Sequence, residues 1–231
     1  MQKTQRGYLL AKRAFDILCA SIGTVVTSPL WLVAAIGIEL SDPGPVFYPA
    51  QRLGKDAKPF TMYKFRSMRQ GKAHEADFRG EESRIFPFGR FIRASKIDEL
   101  PQLLNIIGGS MSIVGPRPAA VDQAAVTRGG EYAKACEVQA GLTGPSALYD
   151  YIYGDGIEDA EDYKRLVLPT RLELDLTYLQ KMSVQYDLKM IWWTVLCILA
   201  SAAKRTPQRI LNELVRDAET RKETPNGAKT P

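Results

Sequence analysis

The chain is poor in the residues that most often do chemistry. Its 231 residues include 3 cysteines and 1 histidine. Cys19, Cys136 and Cys197 are odd in number, far apart and form no Cys-x-x-Cys. That pattern gives no disulfide framework and points to a reducing compartment. A histidine-based zinc centre or a Ser-His-Asp triad would rest wholly on His74, which argues against both. No Gly-x-x-x-x-Gly-Lys loop marks an ATP enzyme, and no aspartates stand two apart as in many nucleotide-sugar enzymes. Internal repeats are absent. No nucleic-acid-binding motif or concentrated basic helix is present, so nucleic acid is not expected as a partner. What remains is a chain of globular composition, 45% hydrophobic, with a net charge of +5 that favours anionic ligands.

One long uncharged run exists, from Ile17 to Ile38. It exceeds the roughly 20 residues that a bilayer-spanning helix needs. Lys3, Arg6, Lys12 and Arg13 precede it and mark that flank as cytoplasmic. A cleaved signal peptide also starts basic and turns apolar, but Glu39-Leu-Ser-Asp-Pro follows in place of a small-residue cleavage site. Ser28-Pro29 falls in the middle of the run, and proline breaks or kinks a helix there. Two topologies compete: a bent helix that passes straight through, and a helix-break-helix that re-enters the leaflet it came from. Arg52, Lys55, Lys58, Lys64, Arg66 and Arg69 follow soon after, and basic residues on both flanks favour re-entry.

Beyond this segment, Val46 to Tyr63 reads as a small hairpin or an irregular loop, and Gln70 to Ser83 as a polar surface excursion. Leu100, Leu103, Leu104 and Ile107 recur at helical spacing before Gly108-Gly109. Pro101 suits the first turn of that helix, which places Asp98 and Glu99 at or just before its N-terminus. Tyr163 to Met182 reads as helix. The uncharged run Met190 to Ala203 is too short to span a bilayer and suits a helix that lies on the membrane or packs in a core. Arg216 to Pro231 is polar and is expected to be disordered.

Asp98-Glu99 is the sharpest chemical feature. Adjacent carboxylates repel, and their pKa values tend to separate. A carboxylate kept ionised at a helix start can act as a nucleophile or a magnesium ligand, although acidic residues also serve there as ordinary caps. The surrounding cations shift the balance. Lys64 and Arg66 lie in one short stretch, Arg90, Arg93 and Lys96 lead up to the acidic pair, and Arg117 is held between two prolines. Guanidinium groups around an acidic pair suit a diphosphate with a metal ion.

Six motifs follow one another in order: Lys12-Arg13-Ala-Phe-Asp16, Ser28-Pro29, Asp42-Pro-Gly-Pro45, Lys64-Phe-Arg-Ser-Met68, Lys96-Ile-Asp-Glu-Leu-Pro-Gln-Leu-Leu-Asn105 and Met111-Ser-Ile-Val-Gly-Pro-Arg-Pro118. Together they resemble the bacterial sugar transferases, the monotopic polyprenyl-phosphate phosphoglycosyl transferases, over Ala11 to Ala203. The resemblance implies an α+β, mainly helical protein. Residues 1–41 would form the flank and re-entrant membrane helix, bent at Ser28-Pro29. Residues 42–205 would form a small cytoplasmic catalytic domain helped by amphipathic helices on the membrane surface, and 206–231 a polar, largely disordered tail.

It also implies a reaction. Asp98 would attack the β-phosphorus of a UDP-sugar, UMP would leave, and polyprenyl (undecaprenyl) phosphate would take the phosphosugar from the aspartate. Asp98 and Glu99 would be catalytic and would hold Mg2+, with Lys64, Arg66, Arg93, Arg117 and Asp175 around the substrate. The implied place is the cytoplasmic face of the bacterial inner membrane, in contact with membrane lipid, at the first membrane step of surface glycan assembly. A catalytically silent membrane scaffold of the same fold is the alternative. Ser110 stands where the family usually has an acidic residue, and Ala57 where glycine is common. The sugar, the glycan pathway and the oligomeric state, a homodimer included, are not legible.

Overall fold

The structure is a computed structural model that describes residues 3–69, 84–154, 157 and 159–223. The expected excursion at Gln70 to Ser83 lies outside the described residues, as does His74.

Helix α1 runs from Lys3 to Ser41, 39 residues or roughly 58 Å at about 1.5 Å per residue. Among the described residues it is the one helix long and apolar enough to cross a membrane, and little of its apolar part is buried. The helix continues through Pro29, so the expected helix-break-helix is corrected to a single uninterrupted element. The sequence supplies the reason. Proline has no N–H for the Val25 carbonyl, and the Ser28 hydroxyl donates to that oxygen instead, at 2.8 Å. Thr24 and Thr27 likewise donate to the carbonyls of Ala20 and Gly23.

α1 touches the rest of the protein on both sides of Ser28-Pro29. Toward its start, Ala20 is buried against Ile106, Met111 and Met62. Toward its end, Ala34 and Ile38 are buried against Phe65, Phe86 and Ile92. Between them, Val25, Val26, Ser28, Pro29 and Leu30 are exposed. Polar residues of the N-terminal half anchor it further. Arg13 donates to the carbonyls of Ile106 and Ile107 at 2.6 and 2.9 Å. Asp16, buried, accepts from the Ser112 hydroxyl and the Ile113 amide. Lys12 and Tyr8 both reach Asp187.

The hairpin reading is realised. Strands β1 (Phe47–Leu53) and β2 (Pro59–Phe65) pair antiparallel, with Phe47 opposite Phe65. Their turn holds Asp56 and Ala57 at φ +57° and +55°. Aspartate tolerates this left-handed backbone better than alanine does. Ala57→Gly is therefore expected to stabilise the fold by about 1 kcal/mol, less the extra entropy glycine loses on folding; a thermal melt of the variant checks the sign.

Helix α2 (Pro87–Ala94) leads to a single 3-10 turn, Ile97–Glu99, and then to α3 (Gln102–Gly108). Gly89 of α2 lies so close to β2's continuation that a Cβ there would come within 2.1 Å of the Ser67 carbonyl oxygen. Strand β3 (Met111–Val114) pairs in parallel with β5 (Ala140–Thr143), and the short β4 (Ala119–Ala120) joins β1 in a sheet of order β2-β1-β4.

Helices α4 (Pro145–Ile152), α5 (Leu168–Lys181), α6 (Val184–Ala202) and α7 (Gln208–Glu223) complete the fold. α6 buries Met190, Trp193 and Cys197 in the largest core. Val184, Leu188, Trp192, Val195 and Leu199, spaced by one turn, stay exposed on its other side. The expected disorder of the tail is corrected over Gln208–Glu223. Ile210, Leu214 and Ala218 repeat at i, i+4 and i+8 and enter the same core as Tyr178. Arg221 is buried there as well and pairs with Glu131 at 2.8 Å. The composition reads as a polar tail because these few apolar positions are diluted by charge on the helix's outer face. Residues 224–231 lie outside the described residues.

Candidate functional site

The acidic pair stands where the chain reverses between α2 and α3. Lys96 takes a left-handed conformation, φ +56°, which ends α2 and starts the 3-10 turn that carries Asp98 and Glu99. Asp98 is buried, 8% exposed, and its Oδ1 has no hydrogen-bond partner. A dry, unpartnered acceptor is costly, and in a folded protein it calls for an explanation in function. Glu99 Oε1 instead accepts from Lys64 Nζ at 3.0 Å.

Lys64 is put there by its strand. Asn105 of α3 stitches β2 alongside, accepting from the Tyr63 amide at 2.9 Å and donating to the Thr61 carbonyl at 2.7 Å. The motif that contains Asp98-Glu99 therefore also fixes their cation.

The two carboxyl groups are pushed in opposite directions. Burial raises Asp98 to about 6, helped by the Glu99 charge and opposed by Lys64, Lys96 and Arg93. Burial also acts upward on Glu99, but Lys64, Lys96 and Arg117 outweigh it and hold that group at about 2. At neutral pH both are ionised. Glu99 is neutralised by its lysine, while Asp98 keeps a poorly solvated charge and is the more basic and more nucleophilic of the two. The expected separation of the pair is present, with Asp98 raised and Glu99 lowered.

Arg117 arrives from the loop after β3. This loop needs its glycines: a Cβ on Gly141 would come within 2.1 Å of the Gly115 amide nitrogen, so two bare backbones cross. Behind the loop, Asp175 accepts from the Arg117 amide at 2.9 Å and from the Ser146 hydroxyl at 2.5 Å, and pairs with Arg128 at 3.0 Å. Arg128 also donates to the Arg117 carbonyl at 2.5 Å. The Arg117 main chain is thus gripped on both sides, while its guanidinium reaches Asp150 at 3.0 Å.

These residues border a cavity of about 470 Å³ whose wall includes Arg52, Lys64, Glu99, Arg117, Lys164 and Arg171. Arg52 is largely buried with its Nε unpartnered, and burial together with the nearby Arg117 lowers its pKa. Tyr163 also lines the wall, donating to Asp150 at 2.6 Å and accepting from Arg171 at 2.6 Å. Asp98 is not among the residues that line the cavity; it adjoins Glu99, which does.

The structure therefore brings together Asp98, Glu99, Lys64 and Arg117. Asp175 is close by but fully buried, with its contacts spent on Arg117, Ser146 and Arg128, so it supports the site and does not line it. Arg93 donates to Met68 Sδ at 3.4 Å and acts on Asp98 only through its field. The expectation that Arg66 binds substrate is corrected. Arg66 is 3% exposed, donates to Pro45 O at 2.6 Å and to the carboxylate and carbonyl of Asp42, and stacks over Phe86. It clamps the Asp-Pro-Gly-Pro loop at the end of α1. Ser28 and Pro29 do not border the cavity.

Sequence reasoning missed Arg52, Arg128 and Arg171. Lys164 and Arg171, both in the segment read as helical, were available as signals but were not singled out. Arg52 gave none, because only the β1–β4 pairing brings it beside Arg117.

Magnesium can be tested against this donor set. Among the described residues no group of three or more metal-ligating side chains gathers. The orphaned Asp98 oxygen and Glu99 are hard donors, and magnesium is commonly held by one or two carboxylates with phosphate and water completing its shell. The residues fit an ion that arrives with a diphosphate.

Comparison with known proteins places this arrangement. Residues 7–201 match the family model described as bacterial sugar transferase. A Caulobacter vibrioides protein named UDP-glucose:undecaprenyl-phosphate glucose-1-phosphate transferase is 36% identical over 196 residues, covering 83% of this chain and 71% of its own. A Xanthomonas campestris protein of the same name is 34% identical over 197 residues, 83% of this chain. An Aeromonas hydrophila protein named UDP-N-acetylgalactosamine-undecaprenyl-phosphate N-acetylgalactosaminephosphotransferase is 35% identical over 214 residues, 86% of this chain. The chain spans 39% of the Xanthomonas relative's length and 46% of the Aeromonas relative's. The match runs from α1 to the end of α6 and includes the acidic pair and the Arg117 loop: the chain belongs to the bacterial sugar transferase family.

Proposed function

We propose that the protein transfers a sugar-1-phosphate from a UDP-sugar to polyprenyl phosphate and releases UMP. The observation that carries this reading is a buried, unpartnered Asp98 Oδ1 adjoining Glu99, which lines a cavity walled by arginine and lysine. The names of the relatives supply the donor and acceptor classes.

In this reading the diphosphate lies against Lys64 and Arg117, with Arg52, Lys164 and Arg171 available to the nucleotide side. Asp98 attacks the β-phosphorus. A bond forms from its carboxylate oxygen to phosphorus, the bond from that phosphorus to the bridging oxygen breaks, and UMP leaves with the electron pair. The acceptor's phosphate oxygen then attacks the same phosphorus, and the Asp98 carboxylate leaves unchanged. Neither step requires a general base. The cations hold phosphoryl charge that develops in both steps. Bound magnesium would neutralise diphosphate charge from the Asp98-Glu99 side.

Because Asp98 must be ionised to attack, UMP release at limiting donor, which reports the free protein, is expected to fall below a midpoint near pH 6. Above that midpoint the rate should be level. A pH–rate profile checks this, and a midpoint near 4 would mean that burial does not govern the nucleophile.

The reading also places the protein at the cytoplasmic face of the bacterial inner membrane. Residues on both sides of Ser28-Pro29 pack on one body while the segment between them is exposed and apolar. That supports a helix which bends at Ser28-Pro29 without losing its helical backbone, so that it dips into one leaflet and returns. The exposed stripe of α6 supports a second contact with the membrane surface. A panel of UDP-sugars, offered with magnesium and polyprenyl phosphate, tests the reaction. UMP should appear with at least one sugar; release with none would leave a silent scaffold of the same fold as the better reading.

A further inference from the structure

A second cavity meets the first at Glu99, Arg117, Leu142 and Asp150. It is smaller, about 280 Å³, and its character is different. Its polar end holds Lys96 and Arg117 with the carboxylates of Glu99 and Asp150, the latter paired with Arg117 at 3.0 Å, and its length is walled by Leu100, Leu103, Leu148, Ile191, Val195 and Ile198. A nucleotide or a sugar would leave its polar groups unpaired against such walls.

The groove has an outlet. Val195 and Ile198 line it and are also 42% and 37% exposed, beside Leu199 on the apolar stripe of α6. On the opposite wall, Leu103 packs toward α1, where a Cβ built on Gly23 would lie 3.4 Å from Leu103 Cδ1. The passage thus runs from the acidic pair to the surfaces that carry the exposed apolar side chains of α1 and α6. At the inner end the Lys96 ammonium sits 4.3 Å from the Tyr151 ring centroid, and the left-handed backbone at Lys96 aims it.

We propose that this groove, with Lys96 and Arg117 at its inner end and α6 as its wall, seats the phosphate and first prenyl units of the acceptor lipid. The assignment rests on the transferase reading and adds to it a division of labour: donor in the cation-walled cavity, acceptor in the apolar groove, both opening at Glu99. The occupant must be anionic at one end and apolar and narrow behind it. A single prenyl chain meets that description. A two-chain phospholipid is too wide for about 280 Å³ and is the alternative occupant that the experiment addresses.

The test separates the two half-reactions. Ile198→Trp fills the outer groove at a part-exposed position. Its KM for polyprenyl phosphate is expected to rise at least about tenfold, while the UMP burst from donor alone stays within about twofold of the unaltered protein. A normal burst with an unchanged lipid KM would overturn the groove assignment and leave the reaction standing. Loss of burst and transfer in equal measure would also overturn it. Absence of any burst in the unaltered protein would overturn the reaction, and the groove with it.

A second measurement does not depend on the variant folding. A prenyl monophosphate carrying a photoreactive group in its first prenyl units should label the peptides that contain Leu103 and Val195 in the unaltered protein. Excess polyprenyl phosphate should abolish that labelling, and vesicles of phosphatidylglycerol should not. Protection by phosphatidylglycerol, or labelling confined to other peptides, would contradict the assignment.

Discussion

Asp98→Asn is expected to lose UMP release by about 10⁴-fold or more, the scale on which removal of a covalent nucleophile acts, while the variant melts no lower than the unaltered protein. The two halves of this expectation belong together. In the folded state the Asp98 carboxyl is raised from 3.8 to about 6. At neutral pH the folded protein therefore carries a charge it would rather not hold. At about 1.36 kcal/mol per pH unit, that difference corresponds to on the order of 3 kcal/mol of lost stability. The sign follows from linkage. A raised carboxyl favours the folded state as pH falls through 6 toward the unfolded value, and weighs against it above 6. Asparagine keeps the size and removes the charge, so the burden disappears together with the nucleophile. A carboxylate placed for structure would behave in the opposite way: its loss would cost stability and leave turnover largely intact. Thermal melts and UMP assays on the same preparation decide between them.

Asp175→Ala is expected to have the largest effect on stability. This carboxylate is 1% exposed, accepts from the Arg117 amide and the Ser146 hydroxyl, and faces Arg128, itself nearly buried. Removing one partner of a buried pair strands the other charge, a loss of about 3–5 kcal/mol. For a protein of this size that is a fall in melting temperature of roughly 10 °C or more. Turnover should fall as well, because Arg117 loses the anchor of its main chain, and the fall should appear in kcat as well as KM. An unchanged melting temperature with a change in donor KM alone would instead make Asp175 a direct substrate contact, as the family resemblance suggested.

Asp175 also illustrates what the sequence could and could not show. Its presence near the site was implied by the family resemblance, but its role was not. Whether an acidic residue faces a ligand or the back of a loop is decided by tertiary packing, here of α5 behind the Pro116-Arg117-Pro118 turn. Arg66 taught the same lesson in reverse. A cation two residues from Lys64 looks like a phosphate ligand in sequence, and an unbroken strand would put both on one face, but β2 ends at Phe65 and alternation does not extend to Arg66. Lys64 reaches Glu99 and Arg66 clamps Asp42.

The acidic pair and the following helix were read closely, because Pro101 and the leucine spacing fix a helix start within a residue or so. The structure begins α3 at Gln102, immediately after the 3-10 turn of the pair. The tail helix was lost because its apolar stripe is short and heavily charged around. Ser28-Pro29 was read as a break because proline's missing donor is visible in sequence, whereas the Ser28 hydroxyl bond that compensates for it belongs to the folded geometry.

The departures from the family pattern have physical counterparts too. Ala57 occupies a left-handed backbone position that explains why glycine suits it. Ser110 accepts from the Asn105 amide and donates to the Asn105 carbonyl, at 3.2 Å in each case, closing the end of α3 without an acidic side chain.

One experiment bears on the central claim more directly than any other. The protein is mixed with magnesium and a UDP-sugar in the absence of lipid, quenched, digested and weighed peptide by peptide. The account predicts a mass gain equal to the phosphosugar on the peptide containing Asp98, lost when polyprenyl phosphate is added before quenching. UMP release with that peptide unmodified, or the adduct on Glu99 instead, would contradict it.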